Sequence, residues 1–313
     1  MSVERLRTKL KNGFFNCHAH IDRAGTIQYT NKDFIKKGLL QKWELVNEVK
    51  SALTEEQYYH GIYNACIKQR EYDVHKLVSF VDLDSTVKTK ALNAAVAAKR
   101  ELSKIGFDLY IGNQTVGGFT DENLKLLENN IDHLDFLGGL PKSDADSDRH
   151  LDILFSLAKA TDKKVHVHVD QLNTSKEQET EWLALKTLSA NMHGQVVAVH
   201  SISLACHTKK YRQYVYEISK DAGLQFVSCP SAWIDHQRTE RLSPTHNSLT
   251  PVDEMLEWGL TVGIGTDNIE DIYKPYCNGD MMFELRLLLE AYKIYDDDIL
   301  IDLAYNNGEK ILG

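Results

Sequence analysis

The sequence predicts an α/β fold, a (β/α)8 TIM barrel occupying residues 1–313 as one domain. Three observations predict it. Eight short apolar runs alternate with longer amphipathic segments, the pattern of parallel strands joined by crossover helices. No Pro/Gly/Ser-rich linker, low-complexity tract or clear repeat divides the 313 residues, a length that one α/β barrel accommodates. Several of the apolar runs end in His, Gln or Asp, as strands do when their C-terminal ends share a functional mouth. A doubly wound open sheet is the alternative arrangement of the same units.

Taken in order, the first strand is Gly13–His18, and a long connection from Asp22 to Thr54 follows it. That connection holds Asn31-Lys32-Asp33 and Trp43, with room for a short helix. Connections of this length serve as lids or binding loops, or are peripheral insertions. The helix Glu55–Glu71 leads to strand Leu77–Leu83, and helix Thr86–Lys104 to strand Asp108–Asn113. Thr120-Asp121-Glu122 opens helix Asp121–Asn130, and Ser147-Asp148 opens helix Asp148–Thr161 after strand Leu134–Gly139. Strands Lys164–Val169 and Gln195–His200 alternate with helices Lys176–Asn191 and Lys209–Asp221. Strand Leu224–Ser228 precedes Thr250-Pro251, which starts helix Thr250–Trp258 with proline at a first-turn position. Strand Leu260–Thr266 and helix Gly279–Tyr295 complete the set, each helix showing apolar residues at three- and four-residue spacing.

Composition narrows the partners. Hydrophobic residues make up 42% of the chain and only five are proline, which fits a compact globular protein. The net charge of -9 argues against nucleic acid or an anionic membrane as partner. Met1-Ser2-Val3-Glu4-Arg5 lacks the apolar core of a signal peptide, and no apolar run reaches the ~20 residues that span a bilayer. The five cysteines are scattered, odd in number and without a Cys-x-x-Cys pair. A disulfide framework and a cysteine zinc site are therefore not indicated, and a cytoplasmic protein is expected.

The chemistry sits at the strand ends. His18 and His20 stand at i and i+2, so on a strand both project from one face. His168 lies near the end of strand five, His200 ends strand six, Gln114 follows strand three and Asp267 follows strand eight. A closed barrel converges these ends on one mouth. Three or four N/O ligands with an open position describe a catalytic metal site, and neutral imidazole with carboxylate suits one divalent ion, Zn or Fe.

This pattern resembles the amidohydrolase superfamily, metal-dependent hydrolases and deaminases on a (β/α)8 barrel. The family's His-x-His on strand one, His on strands five and six and Asp on strand eight match His18, His20, His168, His200 and Asp267. The stretches Phe15–Asp22, Val165–Asp170 and Gly265–Asp271 look most like the cytosine deaminase branch, as do Ser79–Asp82 and Phe136–Pro141. The resemblance implies one metal on His18, His20, His168 and Asp267, with His200 directed at substrate. It places Gln114 where that branch reads the base, and Tyr273 where an aromatic lines the pocket. Trp233 and His236 after strand seven are further candidates.

Three departures follow. Too few residues flank the barrel to build the small β-sandwich of many members, so the barrel stands without it; its N-terminal end would be exposed, which would fit a homo-oligomer. Strand four has no lysine to bridge two metals, Lys142 falling outside the apolar run. Where cytosine deaminases carry a proton-shuttling glutamate stands Gln171, and Asn268 replaces the acidic residue after the strand-eight aspartate. An amide neither takes nor delivers a proton at neutral pH. Proton transfer then falls to Asp267, with Asp170 a second candidate by strand alternation. The expected activity is hydrolysis of a C–N bond in a small nitrogen heterocycle, by deamination or cyclic amide opening. The alternative is a lapsed barrel that binds metal and a small ligand.

Overall fold

The computed structural model describes residues 3–232 and 248–313; Trp233 and His236 lie outside the described residues. The strands are β1 (Phe14–Ala19), β2 (Val74–Asp82), β3 (Asp108–Gln114), β4 (Leu137–Gly139), β5 (Val165–Val169), β6 (Val196–His200), β7 (Gln225–Ser228) and β8 (Val262–Ile264). The helices are α1 (Val3–Lys9), α2 (Leu39–Ala52), α3 (Glu55–Glu71), α4 (Lys90–Ser103), α5 (Asp121–Asn130) and α6 (Ser147–Thr161). They continue with α7 (Glu179–Ser189), α8 (Lys209–Asp221), α9 (Val252–Glu257), α10 (Met281–Tyr292), α11 (Asp297–Ile301) and α12 (Asn307–Leu312).

All pairings are parallel. Strands β1 to β3 form one sheet and β4 to β8 another. Isolated parallel bridges join the sheet edges, Gly112 to Phe136 and Ala19 to Asp267. That is the strand order of an eight-stranded ring with helices outside, a (β/α)8 barrel. Strand β4 is shorter than its apolar run. Asp135 donates its N–H to Ile111 O at 2.7 Å while its own Oδ2 accepts from Ile111 N–H at 2.7 Å. A side chain thus takes over the pairing that a longer ladder would supply.

Alternation sorts the core. In β5 the valines 165, 167 and 169 pack outward under the helices. Phe15, Val78, Phe80, Phe136, Val197 and Val199 fill the barrel interior. The N-terminal end of the barrel is not left open. Ile311 of α12 joins the interior cluster, Lys310 O accepts from Lys164 Nζ (2.7 Å) and Gln225 Nε2 (3.0 Å), and Glu309 pairs with Lys76 at 2.7 Å. Those partners belong to the starts of β5, β7 and β2, so α12 lies across the face that the sequence left bare. No described helix is long and apolar enough to cross a membrane.

The long connection after β1 folds into three short 3-10 turns and α2. Its anchor is Lys50, whose buried ammonium lies 2.8 Å from Asp82 and 3.1 Å from Asp84 at the end of β2. Tyr58 Oη also donates to Lys50 O at 2.9 Å. Desolvation of Lys50 is outweighed by the two carboxylates, and its pKa is raised.

Candidate metal centre

Ring closure assembles the site from both ends of the chain. Asp267 N–H donates to His18 O at 2.9 Å, and His20 N–H to Asp267 O at 3.3 Å. Beneath them Asn16 clips the same seam: its Oδ1 accepts from Thr266 N–H at 3.1 Å and its Nδ2 donates to Thr266 Oγ1 at 2.8 Å. Gly265 is required here, because a Cβ at this position would lie 2.7 Å from His18 O and 2.8 Å from His18 N. The β1–β2 register shifts between Asn16 and Ala19. Cys17 and His18 therefore both face the interior, with the His18 ring 5.0 Å from that of Phe80.

Four imidazoles and one carboxylate meet at the mouth, each at most 4% exposed. His18 Nε2 and His20 Nε2 each stand 3.4 Å from Asp267 Oδ1, and His168 Nε2 is 3.3 Å from His20 Nε2. Two trios with ligand-sized spacing overlap at His18, one with His20 and Asp267 and one with His168 and His200. Burial lowers the pKa of His20 to about 3 and of His200 to about 4, and holds His168 well below its ordinary value. These three rings are neutral at pH 7, the form that ligates metal. Burial pushes Asp267 up, but the His18 and His20 rings outweigh it and keep the carboxylate ionised. Neither ring nitrogen of His18 has a hydrogen-bond partner among the described residues, nor has His20 Nδ1. The Nε2 atoms of His18 and His20 against one buried carboxylate, with His168 Nε2 beside them, fit a cation.

Two relatives bear on the family of the chain. A protein of uncharacterised function from Haemophilus influenzae is 39% identical over 252 residues, covering 79% of this chain and 91% of its own. An N-isopropylammelide isopropyl amidohydrolase of Pseudomonas sp. strain ADP is 28% identical across 96% of this chain and 74% of its own. The chain belongs to the amidohydrolase superfamily. Its fold is shared with 5-methylcytosine deaminase from Klebsiella pneumoniae, solved with 5-fluorocytosine, at a TM-score of 0.85 and 23% identity over 96% of this chain and 74% of that one. No protein-family profile matches the sequence. As an amidohydrolase, the chain is a metal-dependent hydrolase acting on C–N bonds.

Around the metal centre of this amidohydrolase lie Arg23, Leu39, Trp43, Gln114, Gln171 and Asn268, with Tyr273 beside them. The free space they leave is about 20 Å³, room for a water molecule. A larger cavity of about 610 Å³ shares Tyr273 with it and is bordered by Lys42, Ser231 and Phe283. Gln114 Oε1 and Gln171 Nε2 are buried with no hydrogen-bond partner among the described residues. Asn268 is tied back, its Nδ2 donating to Asp271 Oδ2 at 2.6 Å. Tyr273 carries the Arg23 guanidinium 5.3 Å and the Lys42 ammonium 5.7 Å from its ring centre.

One sequence candidate stands elsewhere. Asp170 has a φ of +54°, which breaks the strand alternation after His168 and turns its carboxylate to α7. There Oδ1 accepts from Glu179 N–H at 2.8 Å and Oδ2 from Thr180 N–H and Oγ1. Lys142 is held by Glu177 and Glu179. The sequence reading missed Arg23 and Leu39, and named Trp43 only as part of a connection read as a lid, a binding loop or a peripheral insertion. Arg23 could have been found, since it lies one short turn beyond His20; the two α2 residues carry no local signal.

Proposed function

We propose that this amidohydrolase holds a single divalent cation, Zn or Fe, on His18, His20, His168 and Asp267, and hydrolyses a C–N bond of a small, carbonyl-bearing nitrogen heterocycle. The observation that carries the reading is the convergence of neutral imidazoles on the ionised, buried Asp267 with nitrogen lone pairs left unpartnered. A bound divalent ion lowers the pKa of water to about 7 and so supplies hydroxide at neutral pH. Asp267 accepts the proton of the attacking water and returns it to the departing nitrogen. His200, neutral and with one N–H to give, hydrogen-bonds the developing negative charge.

The remaining cavity groups select the substrate. Arg23 and Gln171 Nε2 offer donors and the unpartnered Gln114 Oε1 offers an acceptor, with Asp82 3.8 Å and Asp271 4.0 Å from Arg23. A ring presenting a carbonyl oxygen beside an N–H suits such a wall. The named substrates of two relatives, an ammelide and a methylcytosine, are of that kind. Gln171 acts here as a hydrogen-bonding residue. The five cysteines are all free thiols, which favours a reducing, cytoplasmic setting.

The test is elemental analysis of the purified protein with a turnover screen of oxo-pyrimidines, oxo-triazines, pterins and cyclic amides. About one metal per chain with turnover in one of these classes supports the reading. Stoichiometric metal without turnover would favour the lapsed barrel, and no metal after reconstitution would overturn both.

A further inference from the structure

The groups behind His168 form a chain that no metal ligand set requires. His168 Nδ1 lies 3.1 Å from Gly139 O. The same peptide unit, through Leu140 N–H, lies 3.3 Å from His150 Nε2. His150 Nδ1 in turn lies 3.0 Å from Asp144 Oδ2. Backbone roles fix every proton in this chain. A carbonyl oxygen only accepts, so His168 carries its proton on Nδ1 and leaves Nε2 bare towards the metal centre. A peptide N–H only donates, so His150 Nε2 accepts and its proton sits on Nδ1, given to Asp144.

Each member is held in place. His150 is fully buried on α6 and stacks on Phe119, with ring centroids 4.3 Å apart and planes 24° apart. Asp144 accepts further from Phe119 N–H at 2.8 Å and Asp146 N–H at 3.2 Å. Every polar group in the line from Asp144 to His168 is thereby satisfied, and all the bonds point the same way. Aligned hydrogen bonds polarise one another, and carboxylate partners of ligating histidines fix ring orientation and raise ligand basicity.

We infer that His150 is a positioning residue for the metal ligand His168: through the Gly139–Leu140 peptide it carries the charge of Asp144 to the imidazole and fixes its tautomer and ring angle. The inference rests on the proposed ligand set, and it adds to that set a residue from α6 that touches neither metal nor substrate.

The test is competition for Zn²⁺ between the full-length protein and a chromophoric chelator, with unfolding of the apoprotein followed in parallel. His150→Phe keeps the stack on Phe119 and removes both hydrogen bonds; His150→Gln can still accept from Leu140 and donate to Asp144. Zinc affinity is expected to fall about tenfold or more in His150→Phe and to recover at least in part in His150→Gln. Phe119→Leu serves as the comparison, since it loosens the same packing and leaves the hydrogen-bonded line intact. Unchanged zinc affinity in His150→Phe overturns the inference. So does an equal loss in Phe119→Leu at matched apoprotein stability, because packing alone would then account for it. Wild-type protein that fails to take zinc would instead overturn the ligand set.

Discussion

Gly265→Ala tests whether the β1–β8 seam sets the ligand geometry. The added Cβ would sit 2.7 Å from His18 O, 2.8 Å from His18 N and 2.8 Å from its Cβ, against an ordinary contact of 3.4 Å or more. Relief at the closest atom needs 3.4 − 2.7 = 0.7 Å of separation. No flexible side-chain end is available to move, because the atoms met are the backbone and Cβ of a candidate ligand. Metal–ligand distances tolerate only about 0.2 Å, so the displacement exceeds the tolerance more than threefold. Overpacking of this kind costs about 1–3 kcal/mol, and the Asp267–His18 hydrogen bond in the same seam strains with it. The assays are the denaturant midpoint of the apoprotein and zinc affinity by chelator competition. A lowered midpoint and a loss of zinc affinity of at least tenfold are expected. A variant with wild-type midpoint and wild-type affinity would falsify the view that β1 and β8 must approach this closely to place His18 and Asp267.

Three further outcomes are expected. Gln171→Glu should raise deamination of an amino-heterocycle by 10²-fold or more if only a proton carrier is missing; steady-state assay with unchanged rates would argue that Asp267 already suffices. Lys50→Met should destabilise the fold by about 3–5 kcal/mol, since Asp82 and Asp84 lose a buried counter-charge, and a urea midpoint within error of wild type would contradict this. Burial lowers the pKa of His150 below 6.5. Its stabilising share is complete above that pH, where the unfolded chain is also neutral, and is lost as pH falls towards the depressed folded value. Apoprotein urea midpoints at pH 7.5 and pH 5 should therefore differ less in His150→Gln than in wild type.

The sequence by itself determined the order of strands and helices and the cluster of residues proposed to hold the metal. Period-two runs such as Val165–Val169 can only be strands whose valines pack one way and histidines the other, and strand ends in a parallel ring must converge. His18, His20, His168, His200 and Asp267 were legible for that reason. What the sequence could not decide depended on which elements the fold brings into contact. Asp170 continues the alternation of β5 on paper, and a positive φ with three donors from α7 removes its carboxylate from the mouth. The long connection after β1 became a roof because Lys50 found Asp82 and Asp84, placing Leu39 and Trp43 over the metal centre. The open N-terminal end was covered by α12 through single hydrogen bonds to Lys164 and Gln225 that have no periodic signature. Local pattern fixes which way a side chain points within an element; which elements then meet is set by ring closure and by buried charges finding partners, and those partners are 32 to 249 residues apart in the chain.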